Sequence, residues 1–362
     1  MVLYICIIFV LLGALAISVT DCGDNWELKS KRRFVYSRSI YGFLFILLMA
    51  LFWFLTAFRG DSIGNDTRTY LNYYEEIAKH GINANWHIEI GYQYFCLLLS
   101  KISPNPYFLL IVCSTICYTV CGIFIYRYSN TILFSVILLF CIAFPFFASG
   151  IRQSIALVFV LWAYAKIKDN KKVIPLILIL IASVFHVSAL MSLLWFAHKY
   201  IPKKPVYVIT LALITAVLAA SGVLNSFLTG ILQEYQGYFD SEYAGTGWLG
   251  ITYYLLRAVV FYLFIYFVYK EECRQNSLII SNSVLLLFTV CLGFSVNLFN
   301  RASLYFLILI VVDLPNAFNS GKLKNRDIWM IVTGIVMLSY FIVTLIIRPE
   351  WNNLYPYEFN WS

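Results

Sequence analysis

Charge is what this sequence has least of. Asp, Glu, Lys and Arg make up 12% of its 362 residues, about half of the ~25% usual in soluble domains. With 61% hydrophobic residues, too little polar surface remains to cover a water-soluble globule, so the bilayer is the expected solvent. Metal-ligand spacing is also missing. The nine cysteines include no CxxC and no Cys/His pair at zinc spacing. Their odd number, and their placement mostly inside apolar runs, mark them as small packing residues. No metal and no cofactor is expected. No soluble domain, low-complexity segment or hydrophobic repeat relating two halves is present. That last absence counts against a transporter built from repeats.

A cleaved signal peptide is excluded as well. No basic residue precedes the run from Val2 to Thr20, the run is too long, and "KSKRR" follows it as a stop-transfer signal. It reads as the first membrane span.

What the sequence does hold is apolar runs near the ~20 residues needed to cross a bilayer. They fall at 2–20, 39–58, 105–126, 131–148, 150–167, 206–229, 250–269, 278–298, 302–318 and 328–347. The expected fold is an all-α polytopic membrane protein forming one helical domain over residues 1–362, with ten full spans. Segment 90–102 is too short to cross, and 173–197 is interrupted by His186 in "VFHVSA". Reading 173–197 as a re-entrant pair of half-helices puts 18 Lys and Arg on the cytoplasmic side and seven outside, with Arg257 inside a span. A single crossing would invert every later loop, against the positive-inside rule. The net charge of +8 therefore reports topology, and no nucleic-acid partner is expected. The polar segment 59–104 and the tail 348–362 then lie on the outer face.

In that outer segment Tyr70, Tyr73, Tyr74 and Ile77 recur at i, i+3, i+4 and i+7, so 67–79 is predicted to be an amphipathic helix. Two accounts of it stand side by side. Asp66 caps the helix and the tyrosines form an interfacial belt. Alternatively, the aromatic faces carry sugar, with Arg59, Asp61, Asp66, Glu89 and Tyr92 as further contacts. Glu89, in "HIEIGYQYF", sits where the chain turns apolar again.

Three arginines stand at apolar boundaries or within them: Arg152 in "GIRQS", Arg257 eight residues into its run, and Arg301 in "NLFNRASLYF". Guanidinium inside a bilayer costs at least ~2.5–3.5 kcal/mol and marks a paired or functional group. Snorkelling suits Arg348 best and Arg257 worst. Asp313, the acid inside a run, lies toward the other side. A diphosphate would match the guanidinium fork. His186, at the proposed turn, is either a satisfied core residue or a base near neutral pH.

These stretches together resemble the EpsG-like branch of the bacterial polysaccharide polymerases, the family that includes the O-antigen polymerases (Wzy-type). The resemblance rests on Asp66 and Tyr70, Glu89-Ile90-Gly91-Tyr92, "RQSIA" from Arg152, "FHVSAL" around His186, Arg301 followed by Tyr305 and Phe306, and the tail "YPYEF". It implies a multi-pass protein of the bacterial cytoplasmic membrane. Its substrate would be an oligosaccharide repeat unit on undecaprenyl diphosphate, polymerised at the outer face. Arg152, Arg257 and Arg301 would hold the diphosphate, His186, Glu89 or Asp66 would take the hydroxyl proton, and Tyr70, Tyr73, Tyr74 and Tyr92 would orient sugars. A flippase and a chain-length regulator are the expected partners. A flippase for the same lipid, or a membrane acyltransferase acting on polysaccharide, are the alternatives the sequence leaves open.

Overall fold

The computed structural model describes residues 2–20, 40–83, 86, 88–223, 248–295 and 297–361. The basic segment 21–38 and most of the loop 230–249 lie outside the described residues. Helices run in the order α1 (Val2–Thr20), α2 (Ile40–Ala57), α3 (Thr67–His80), α4 (Ile90–Ser100), α5 (Tyr107–Tyr128), α6 (Ile132–Ser149), α7 (Ile151–Lys168) and α8 (Val173–Phe185). A 3-10 helix, Val187–Ala197, precedes α9 (Pro205–Ala220), α10 (Trp248–Tyr269), α11 (Ser277–Leu292), α12 (Asn297–Ala302), α13 (Leu304–Leu307), α14 (Ile310–Phe318) and α15 (Arg326–Ile347). Among the described residues there is no strand, only one antiparallel bridge between Arg59 and Phe359.

Among the described residues five helices, α1, α2, α5, α6 and α15, are long and apolar enough to cross a membrane. A sixth crossing results if Phe299–Leu307 and Ile310–Phe318, bent by 42°, form one span. The ten full spans expected from the sequence are not reproduced. Some of the expected runs form helices shorter than a span. Helices α9 and α11 have 16 residues each, about 24 Å at 1.5 Å per residue, against a hydrocarbon core of ~30 Å. The run 302–318 is broken at Ile308 and Leu309, and the end of the run 206–229 lies outside the described residues. Segment 90–102 does form a short helix of 11 residues. The run 173–197 divides at His186 into an α-helix and a 3-10 helix.

The chain divides into two compact units, the first comprising Met1–Trp162, Leu180–Val187 and Ile310–Ser362. Its centre is α6, with α1, α2, α5, α14 and α15 packed around it. Fourteen of its 18 residues are buried, as expected of a helix apolar on every side. Phe140 stacks on Phe144 at 5.0 Å between ring centroids and meets Phe52 at 4.8 Å and Phe341 at 4.6 Å. The peripheral helices α1 and α15 turn Val2, Phe9, Ile335 and Val336 outward. An outward face this apolar belongs against acyl chains.

The second unit comprises Ala163–Ile179 and Ser188–Leu309. Helix α11 packs against α9, α10, α12 and α13. Its fully buried Asn282 accepts a hydrogen bond from Trp195 Nε1 at 3.1 Å and donates to the Phe306 carbonyl at 3.0 Å. Both ends of the amide are thus satisfied, which burial in a low-dielectric core demands.

Candidate functional site

Helix α3 forms as predicted and shows what its aromatic spacing is for. Tyr70, Tyr74 and Ile77 are buried against Tyr92, Cys96 and Leu110 of α4 and α5. Tyr74 and Tyr92 are fully covered, and Tyr74 donates to the Ser103 carbonyl at 2.7 Å. They are core, so no ring face of theirs is open to a sugar. Tyr73 is partly buried against Trp86. Asp66 stands at the N-cap position but makes no side-chain capping bond. Asp61 pairs with Arg68 at 2.8 Å on the surface. The structure brings neither acid into the group described next.

That group forms where the start of α4 meets the end of α8. Gly91 makes the approach possible. A Cβ there would lie 2.3 Å from Val184 Cγ1 and 2.7 Å from the Val184 carbonyl oxygen, so only glycine lets the two helix ends touch. Glu89 precedes α4 and His186 follows α8. His186 Nδ1 lies 2.8 Å from Glu89 Oε1, and the Val187 amide donates to the same oxygen at 3.3 Å. Arg152, in the first turn of α7, donates from Nη1 to Glu89 Oε2. Its Nε points to the Tyr70 hydroxyl at 3.4 Å, with the guanidinium 5.8 Å from the centre of the Tyr70 ring. The three side chains are 16–19% exposed.

Burial works against ionising Glu89. It is outweighed by the His186 hydrogen bond, the Arg152 charge and the proximity of His186, which together hold the carboxyl down at about 2. Glu89 is therefore a carboxylate. With it ionised, Nδ1 of His186 carries the proton that Oε1 accepts, and in the neutral ring Nε2 is then the acceptor. Arg152 Nη2 has no hydrogen-bond partner among the described residues. The cluster thus offers a proton acceptor, a carboxylate that orients it and a spare guanidinium donor.

The remaining candidates sit elsewhere. Arg257 lies over the Tyr254 ring at 5.2 Å in α10, and Arg301 is exposed in α12. Both belong to the second unit. Ser188 donates to the Tyr305 hydroxyl at 3.4 Å within that unit. Arg59 is 1% exposed, and burial lowers its affinity for its proton, so it is no sugar contact on the surface. Among the described residues, no group of three or more His, Cys, Asp and Glu is placed to hold a metal ion. Sequence reading missed Gly91 as a packing residue and passed over Thr67, whose hydroxyl contacts the Ala148 carbonyl at 3.0 Å.

A family model described as the EpsG family matches residues 42–359. No curated protein and no solved structure matches.

Proposed function

Because this chain belongs to the EpsG family, we propose that it is a polysaccharide polymerase acting on oligosaccharide repeat units linked to undecaprenyl diphosphate, at the outer face of the bacterial cytoplasmic membrane. The observation that carries the chemical part of this reading is the 2.8 Å contact between His186 Nδ1 and Glu89 Oε1, with Arg152 on the other carboxylate oxygen.

In the proposed reaction, the terminal sugar hydroxyl of the incoming unit attacks the anomeric carbon of the growing chain. Its proton passes to His186 Nε2 as the new carbon–oxygen bond forms. The bond between the anomeric carbon and the diphosphate oxygen breaks, and the lipid diphosphate leaves with the electron pair. Glu89 fixes the tautomer and orientation of His186 and stabilises the imidazolium, as a buried carboxylate does behind other catalytic histidines. The spare Nη2 of Arg152 donates to a phosphate oxygen, where charge grows in the transition state. Arg257 and Arg301 belong to the second unit and are given no part in this step.

The test is reconstitution in liposomes with lipid-linked repeat units, read as a polymer ladder on a gel. Wild-type protein is expected to lengthen the chains, and His186→Asn to leave single units. Chains that stay single with wild-type protein while changing leaflet, or while gaining acyl groups, would replace the polymerase reading with a flippase or an acyltransferase.

A further inference from the structure

The reaction above uses Arg152 and leaves a second buried cation without a task. Arg59 donates from Nε to Thr67 Oγ1 at 3.2 Å and from Nη1 to the Thr56 carbonyl, while Nη2 is buried without a partner. It forms no ion pair with a carboxylate among the described residues. Burying a charge this way is costly, and an apolar side chain would fill the space more cheaply. The arginine is best explained by what it holds.

It holds Thr67. That hydroxyl contacts the carbonyls of Ile63 at 2.6 Å and Ala148 at 3.0 Å while accepting from Arg59. One oxygen therefore joins the start of α3 to the end of α6. Tyr70 follows one helical turn after Thr67, and Arg152 lies four residues after Ala148, across the break at Gly150 between α6 and α7. These are the two residues whose contact aims the guanidinium at Glu89. Gly64 seals the same junction: its φ is +83°, and a Cβ there would lie 2.0 Å from the Ala148 oxygen.

The C-terminal tail clamps this junction from outside. Glu358 and Asn353 accept backbone hydrogen bonds from Gly60 and Gly64 at 2.8 and 3.0 Å, and Asn360 donates to Phe58 at 3.0 Å. Asn65 donates to the carbonyl of Trp351 at 2.9 Å.

We infer that Thr67, gripped by Arg59 and backed by the C-terminal tail, is a positioning residue that sets Arg152 and Tyr70 against Glu89 and His186. The inference rests on the proposed role of that cluster, but its test is separable. Full-length protein in lipid nanodiscs, labelled with nitrogen-15 at histidine, reports the Nδ1 proton of His186 as a downfield signal assigned with His186→Gln. Thr67→Val is expected to move that signal upfield and speed its exchange with water. In the polymerisation assay the same variant is expected to lose roughly a hundredfold in kcat at unchanged KM, the scale of a small misplacement at a reacting centre. Thr67→Ser, which keeps the hydroxyl, restores both. Asn65→Ala loosens the tail at an exposed position and moves the signal in the same direction, and serves in place of Thr67→Val if that chain does not accumulate. An unchanged His186 signal in Thr67→Val, or in Asn65→Ala where it stands in, overturns the assignment, whatever the activity. So does a signal lost equally in Thr67→Ser, which would make packing rather than the hydroxyl responsible. A His186→Gln protein that polymerises normally would end the reading of His186 as base and leave the positioning result standing.

Discussion

His186 and Glu89 lie 97 residues apart in the chain and 2.8 Å apart in space, with the carboxylate's other oxygen taken by Arg152. An amide cannot accept from both donors, because one of its two ends is itself a donor. Glu89→Gln is therefore expected to reduce polymerisation by about a thousandfold or more, the scale seen when a carboxylate behind a catalytic histidine is neutralised. The initial rate of chain lengthening in liposomes measures it. A loss under tenfold would remove Glu89 from the chemistry.

Arg152 is expected not to tolerate lysine. The guanidinium reaches Tyr70 and Glu89 from separate nitrogens, a fork that a single ammonium does not reproduce. Arg152→Lys should keep the protein in the membrane while cutting its rate at least tenfold, roughly the worth of one charge-assisted hydrogen bond. Protein amount by immunoblot beside the polymer ladder separates the two effects.

Gly91→Ala should push α4 away from Val184 and so part Glu89 from His186. Overpacking of this kind costs about 1–3 kcal/mol. Thermal unfolding in detergent is expected to show a lower midpoint together with lost activity. Gly13→Ala is the control. Nothing lies within 4 Å of its added carbon, and alanine in a helix is worth up to about 1 kcal/mol over glycine.

Tyr74→Phe is expected to lower stability by about 1 kcal/mol through loss of the 2.7 Å bond to Ser103, with KM for the lipid-linked unit unchanged. A large rise in KM would return Tyr74 to sugar binding.

The pH dependence follows from Glu89. Its carboxyl is depressed from 4.5 to about 2, so the folded state favours the ionised form. That stabilisation is complete above about 4.5 and is lost as pH falls through about 2. The cluster contributes on the order of 3 kcal/mol in the upper range. Unfolding midpoints of wild type and Glu89→Gln between pH 6 and roughly pH 2 should converge toward the acid end.

Much of this was readable from sequence, and the limits have physical causes. The helices α1, α2, α5, α6 and α15 follow from unbroken apolar runs. The break at His186 was visible because a histidine interrupts such a run. Glu89, Arg152 and His186 were each singled out, but for separate duties: Arg152 for diphosphate, the other two as rival bases. Their union depends on two helix ends meeting at Gly91, a tertiary contact that spacing along one helix does not reveal. The i, i+3, i+4 spacing of Tyr70, Tyr73 and Tyr74 identified a face but not what that face meets, which is protein. Ten spans were expected because hydrophobicity reports solvent; among the described residues five helices, or six with the bent pair, are long and apolar enough to cross.

Tyr4, in the first helix, donates to the carbonyl of Leu354 at 2.8 Å. A ribosome adding about 5–20 residues per second takes on the order of 20–70 s to make the stretch between them. The first helix thus enters the bilayer long before its partner exists. A chain released before Leu354 would carry Glu89, Arg152 and His186 yet lack this clasp between its first helix and its tail.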